Sequence, residues 1–279
     1  MTEEQSRSLD ALAFEIFQDR KVEIAPASSS GFANEVYMVR ENSGEQLVLK
    51  IYSQDEYAEA ESIALNLPFS KKPLLVAAGT CSDNRRYSLQ SFVVGVPFSS
   101  DKVGDCEISS LVDTLKELHA ITLDAGSSLY DRLKVVMDVY DDSLAELGID
   151  CIPLLEKLQQ IKTTVFSFTH GDFAPGHLLL TDNGLFLIDF DEARFCDRLY
   201  DLASLYWSNI MHFANLSVIE DMATRLKIDL RNYPAMSLET TIVLFGVSFW
   251  RWRKLNLTDE HLVQEAAMAI RSCHSKLIR

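Results

Sequence analysis

His170-Gly171-Asp172-Phe173-Ala174-Pro175-Gly176-His177, followed after a short turn by Leu187-Ile188-Asp189-Phe190-Asp191, is the stretch on which the reading of this sequence turns. It sets three carboxylates and two imidazoles around the apolar runs Leu178-Leu179-Leu180 and Leu185-Phe186-Leu187-Ile188, which read as the strands of a hairpin. The turn Asp182-Asn183-Gly184 between those runs folds Asp189 back beside the loop that carries Asp172.

Such a set of groups suits phosphoryl transfer with a metal-bound nucleotide. That reaction leaves the protein little covalent work; it must align the nucleophile with the γ-phosphate and neutralise charge. Asp172, on a loop just after the strand Val165 to Thr169, is placed to accept the proton of a substrate hydroxyl. Asp189, at the end of an apolar run, offers a hard anionic oxygen to Mg²⁺. His177 is the irregular member, because an imidazole is a softer ligand than a carboxylate or amide oxygen. It is read as a metal ligand beside Asp189 or a phosphate contact, with stabilisation of the loop as the alternative. His170 and Asp201 are read as braces of the loop, and the role of Asp191 stays open.

Upstream, Val22 to Ala25, Glu35 to Val39, Gln46 to Tyr52, Leu74 to Ala78 and Tyr87 to Val93 read as strands, with one helix at about 54 to 66. Downstream of Gly95 and Pro97 the pattern is mostly helical, with helices expected at about 106 to 122, 128 to 147, 151 to 162, 198 to 214, 217 to 229, 236 to 254 and 258 to 277. The fold class is therefore α+β, with a β-rich region over 1–94, opened by a short amphipathic helix at 6 to 19, and a helical region over 95–279. Lys50 sits among apolar neighbours, and a buried ammonium needs an anionic partner to offset its desolvation. The helix at 54 to 66 supplies Glu61, with Glu59 as the alternative.

The formal charge of −15 argues against nucleic-acid backbone binding and mildly favours a cationic small molecule. Five scattered cysteines without a CxxC pair point to a reducing compartment. Neither a basic, apolar leader nor a run long enough to span a membrane is present, so the expected location is the cytoplasm.

The block HGDFAPGHLLL, LIDFDEA and Asp197-Arg198-Leu199-Tyr200-Asp201-Leu202-Ala203 resembles the catalytic block of the aminoglycoside phosphotransferase and choline kinase-like family, relatives of protein kinases. Ser30-Gly31-Phe32-Ala33-Asn34-Glu35-Val36-Tyr37 is similar to the family's first-hairpin nucleotide loop, Leu47-Val48-Leu49-Lys50 to its third strand, and Leu115-Lys116-Glu117-Leu118-His119 to its Leu-x-x-Leu-His helix. Most members have Asn where this chain has His177, whereas several macrolide phosphotransferases of the family carry Pro-Gly-His. The resemblance implies a bilobal protein-kinase-like fold, ATP or GTP as phosphoryl donor, Mg²⁺ as cofactor and Lys50 on the nucleotide phosphates. It places Ser30 and Gly31 over the phosphates and the backbone amides of Ser91 to Val93 against the base. The acceptor expected is a hydroxyl of an antibiotic such as an aminoglycoside or macrolide. A metabolite kinase of the choline, sugar or homoserine type and a pseudokinase without turnover are the competing readings.

Overall fold

Turns rich in Ser, Asn and Gly cut the N-terminal sequence into five strands: β1 (Val22–Pro26), β2 (Glu35–Glu41), β3 (Gln46–Ile51), β4 (Leu75–Thr80) and β5 (Arg86–Ser91). The computed structural model describes residues 14–18, 21–27, 34–98, 105–139, 145–150, 152–161, 165–209, 216–256 and 260–277. The five strands form one antiparallel sheet in the order β1-β2-β3-β5-β4. Successive side chains of a strand point to opposite faces. Leu47, Leu49 and Ile51 of β3 thus share one face, where they pack with Val39, Leu89 and Phe17 in a buried cluster. Lys50 and Tyr52 are left to the other face.

Helix α1 (Asp55–Asn66) connects β3 to β4 and buries Ala58, Glu61, Ala64 and Leu65, a helical stripe in which one position is a carboxylate. Asp55 and Glu56 in its first turn complement the positive end of the helix dipole. Its last turn has no basic residue, and the Lys72 ammonium takes that part by donating to the Leu65 carbonyl at 2.7 Å. The chain separates into two compact units, one of Met1–Val96 with Thr181–Glu192 and the other of Pro97–Leu180 with Ala193–Arg279. The segment carrying Asp189 and Asp191 therefore belongs to the same unit as Lys50.

The second unit is built from α2 (Asp105–His119), α3 (Leu129–Val139), α4 (Ile152–Gln159), α5 (Leu199–Asn209), α6 (Leu216–Arg225), α7 (Ser237–Asn256) and α8 (Glu260–Leu277). A small sheet joins β7 (Thr122–Leu123), β8 (Phe166–Thr169) and β11 (Arg194–Cys196) in the order β11-β8-β7. The remaining strands are β6 (Val96–Pro97), β9 (Leu178–Thr181) and β10 (Gly184–Leu187), with 3₁₀ turns at Pro175–His177 and Leu230–Asn232. No helix among the described residues is long and apolar enough to cross a membrane.

The strands and helices expected from sequence are present, with three differences. Strands β7 and β11 are too short to show a period of two. The stretch expected to be helical to 229 leaves the helix after Arg225, where Lys227 takes a left-handed φ of 55° and Asp229 caps the following 3₁₀ turn by accepting from the Arg231 amide. The helix expected over 128 to 147 is helical at 129–139 and 145–147, and residues 140–144 lie outside the described set. So does most of the expected N-terminal helix, of which 14–17 are described and helical.

The α5–α7 contact is set by one glycine. Trp207 is wholly buried and tethered by an indole N–H that donates to the Ile242 carbonyl at 2.6 Å. A Cβ on Gly246 would meet the Trp207 ring at 2.1 Å. Gly246→Ala is expected to lower unfolding free energy by at least about 2 kcal/mol in urea denaturation. Gly176→Ala, where a Cβ meets nothing within 4 Å, should change it by less than about 0.5 kcal/mol.

Candidate active site

In the first unit, β3 delivers Lys50 to the face of the sheet where α1 delivers Glu61. The Lys50 ammonium lies 2.7 Å from Glu61 Oε2 and 3.8 Å from Asp191 Oδ2, and it bonds to Asp189 Oδ1. Both Lys50 and Glu61 are buried, at 5% and 1% exposure, so this is a desolvated ion pair. Burial by itself would lower the ammonium pKa, but Glu61, Asp189 and Asp191 together hold it well above its ordinary value. Glu59 is exposed, which settles the choice between the two glutamates for Glu61.

Asp189 follows β10 with φ at 68°, a left-handed conformation that costs a non-glycine residue roughly 1–3 kcal/mol and persists only where its surroundings hold it. Its flanks do so. The Leu187 amide donates to the Lys71 carbonyl at 2.8 Å, and the fully buried Phe190 ring packs edge-on against Phe69. Asp191 accepts from Asn34 Nδ2 at 2.9 Å, and Asn34 Oδ1 accepts from the Ser53 amide at 3.1 Å. Burial, and then the charge of Asp189, push the Asp191 carboxyl up to about 7, against the lowering influence of Lys50.

In the second unit, β8 runs into His170-Gly171-Asp172, and the loop is fixed by a carboxylate on α5. Asp201 is fully buried; its Oδ1 accepts from the Gly171 amide at 2.9 Å and its Oδ2 from the His170 amide at 3.2 Å. His119, the last residue of α2, sets Nε2 at 2.8 Å from the same Oδ2. Gly171 has φ at 84°, the left-handed region that its missing Cβ makes accessible. His170 is fully buried and accepts from the Asp172 amide through Nδ1 at 3.3 Å, which places its ring proton on Nε2. The Phe173 amide donates to Ser204 Oγ at 2.9 Å. The Asp172 side chain keeps 47% of its surface open.

His177 ends the 3₁₀ turn with Nδ1 at 3.1 Å from the Asp172 carbonyl oxygen and 3.4 Å from its Oδ2. That contact is the one expected of a loop stabiliser. Among the described residues no three His, Cys, Asp or Glu side chains form a metal cage. Mg²⁺ does not require one, since it is commonly held by one or two carboxylates together with phosphates and water. Asp189 and Asp191, two carboxylates close enough for one to raise the pKa of the other, suit that mode of binding.

The nucleotide contacts expected from sequence fare unevenly. Ser30 and Gly31 lie outside the described residues. The Ser91 amide is not available to a base, because it donates to the Leu74 carbonyl at 2.9 Å, and the Phe92 amide donates to the Gln46 carbonyl at 3.3 Å. Both bonds are sheet pairings of residues that the sequence reading already placed in the strand Tyr87 to Val93. Val93, past those bonds and half-buried, remains as the candidate for base contact. Two functional positions were missed. Asn34 orients Asp191, and Tyr52 donates to Glu61 Oε2 at 2.8 Å. The second had a signal: residues 50 and 52 of an extended strand share a face.

The phosphotransferase enzyme family matches residues 24–238. The chain belongs to this family. No curated protein matches it in sequence. Its fold is similar to that of APH(2")-IIia, solved as a GDP and kanamycin complex, with a TM-score of 0.68 at 18% identity over 97% of this chain and 99% of the other. It is also similar to the aminoglycoside phosphotransferase APH(4)-Ia, with a TM-score of 0.65 at 15% identity over 96% and 99%. The choline kinase from Cryptosporidium parvum Iowa II gives a TM-score of 0.66 at 13% identity over 99% and 96%. The expected family and the α+β protein-kinase-like fold class are thereby borne out.

In this phosphotransferase the Lys50 cluster is also a structural element. Lys50→Met would leave Glu61, Asp189 and Asp191 without their shared cation. The variant is expected to lose about 3–5 kcal/mol of stability in urea denaturation at neutral pH.

Proposed function

We propose that this chain is a small-molecule kinase that transfers the γ-phosphate of ATP or GTP to a hydroxyl of an antibiotic such as an aminoglycoside or macrolide. The observation that carries the reading is Lys50, buried on β3, paired with Glu61 of α1 and in contact with Asp189. A fixed ammonium beside a strained, partly accessible carboxylate supports binding of nucleotide phosphates by Lys50 and of a divalent cation by Asp189. Mg²⁺, when bound, neutralises charge on the phosphates, and Asp189 with Asp191 are the residues that would hold it. Val93 offers its amide to the base.

Asp172 takes the proton from the acceptor hydroxyl as its oxygen attacks the γ-phosphorus and the bond to the β,γ-bridging oxygen breaks. His170 and Asp201 keep the loop in place, and His177 steadies Asp172 through its backbone carbonyl and carboxylate. Kanamycin, bound by one structural neighbour, and hygromycin B, bound by another, are the natural first acceptors to try. The net charge of −15 favours acceptors that carry amines.

Nucleotide turnover should be followed with ATP and with GTP against kanamycin, hygromycin B, a macrolide, choline and homoserine. Phosphorylation of at least one antibiotic is expected. Asp172→Ala should lower kcat by ~10²–10⁴-fold. Turnover that survives that substitution, or that is confined to choline or homoserine, would contradict the proposal.

A further inference from the structure

One face of the five-stranded sheet carries a buried line of polar side chains that ends on Glu61. Lys50 pairs with Ser88 across β3 and β5, and Val48 with Gln90. Cross-strand partners share a face and side chains alternate along a strand, so Lys50, Tyr52, Ser88 and Gln90 project to the same side. Tyr52, just past β3, stays in register because its amide donates to the Arg86 carbonyl at 3.0 Å. All four side chains are buried, as is Glu61.

The direction of the hydrogen bonds along this line is forced. Glu61, ion-paired with Lys50, presents a carboxylate that only accepts, so the Tyr52 hydroxyl donates to its Oε2 at 2.8 Å. Burial, and then the charge of Glu61, raise the pKa of that hydroxyl, which keeps its proton. With its one hydrogen committed, the Tyr52 oxygen, 2.7 Å from Ser88 Oγ, accepts from Ser88. Ser88 has then spent its own hydrogen, and its Oγ accepts from Gln90 Nε2 at 2.9 Å. The donors follow head to tail from Gln90 to Ser88 to Tyr52. The last hydrogen reaches the oxygen of Glu61 that lies 2.7 Å from the Lys50 ammonium.

Packing alone does not call for such a line. A phenylalanine at position 52 would fill nearly the same volume without desolvating a hydroxyl, and buried polar groups gain little stability over apolar ones of the same shape. What the hydroxyls add is orientation. Two donors, the Lys50 ammonium and the Tyr52 hydroxyl, converge on Glu61 Oε2, and the ammonium also sits 5.5 Å from the centroid of the Tyr52 ring. The carboxylate is thereby held against rotation, and Lys50 keeps the position from which it also meets Asp189.

We propose that Tyr52 and Ser88 are positioning residues for the phosphate-binding lysine, acting on Lys50 through Glu61, with Gln90 anchoring the far end of the relay. Their part in nucleotide binding rests on the assignment of Lys50 to the phosphates. Their hold on Lys50 does not, and it exists without nucleotide. Members of one hydrogen-bonded network are coupled, so removing a second member in series costs little once the first is gone.

Two measurements on the full chain test this. In the nucleotide-free protein carrying ¹⁵N-labelled lysine, the Lys50 Nζ signal, assigned by its absence in Lys50→Arg, is expected to move in Tyr52→Phe, which keeps the ring, and in Ser88→Ala. Ser88→Ala should add no further movement in the Tyr52→Phe background, and Ser88→Thr, which keeps the hydroxyl, should leave the signal in its wild-type place. Isothermal titration with Mg²⁺-ATP and Mg²⁺-GTP should show the affinity lowered about 3–10-fold by Tyr52→Phe, and by less than about 1.5-fold when Tyr52→Phe is added to Glu61→Gln. A Lys50 signal indifferent to Tyr52→Phe and Ser88→Ala, or moved equally by Ser88→Ala with and without the Tyr52 hydroxyl, would overturn the relay. A nucleotide affinity unchanged by Tyr52→Phe, or lowered equally in the wild type and in Glu61→Gln, would overturn its action through Glu61. A wild type that binds no nucleotide while its Lys50 signal responds as expected would contradict the kinase reading, and with it the part of the relay in nucleotide binding, but would uphold its hold on Lys50.

Discussion

A single buried ammonium organises the first unit. Lys50 is removed from water, and desolvation of a charge in a protein interior costs several kcal/mol unless partners compensate. Glu61, Asp189 and Asp191 supply that compensation from α1 and from the segment after β10. The arrangement fixes more than one residue. It sets the rotation of α1, because Glu61 must face the sheet, and it holds Asp189 in a left-handed conformation that the chain alone would not favour. Three carboxylates around one ammonium leave excess negative charge, and Asp191, pushed up to about 7 mainly by burial and the charge of Asp189, registers it. Such a cluster is well matched to a divalent cation and polyphosphate arriving together.

The second unit repeats the logic with the sign reversed. Asp201 is a fully buried carboxylate, and its partners are two backbone amides and the His119 ring. Two amides donated to one carboxylate fix the backbone of His170 and Gly171, and with it the direction in which Asp172 leaves the loop. Each residue of the tripeptide has its own part in the loop: Gly171 takes a left-handed φ, His170 offers an acceptor nitrogen, and Asp172 keeps its side chain partly open.

Much of this was legible in the sequence because it rests on local periodicity and on the cost of burying charge. The sheet strands could be read from alternation between turn signals, and Lys50 required an acid from the one helix of its region. The choice between Glu61 and Glu59 needed the rotation of α1, which buries Glu61 with Ala58, Ala64 and Leu65 and which a weakly amphipathic sequence does not display. Asn34 was hidden because its role depends on Asp191, 157 residues away. The Ser91 amide is taken up by the Leu74 carbonyl, because a residue inside a strand spends its N–H on the neighbouring strand. The Nδ1 contact of His177 to Asp172 was not legible, because it depends on the 3₁₀ turn over Pro175–His177, whose three residues carry no periodic signal.

The most direct test of the central role of Lys50 is the affinity of Mg²⁺-nucleotide measured by isothermal titration for the wild type and for Glu61→Gln. The substitution keeps the size of the side chain and the cation of Lys50, and removes the charge that holds it. An affinity lowered by about tenfold or more in a variant that stays folded is the expected result. Tight binding that is unchanged in Glu61→Gln would contradict the assignment of the Lys50–Glu61 pair to the nucleotide.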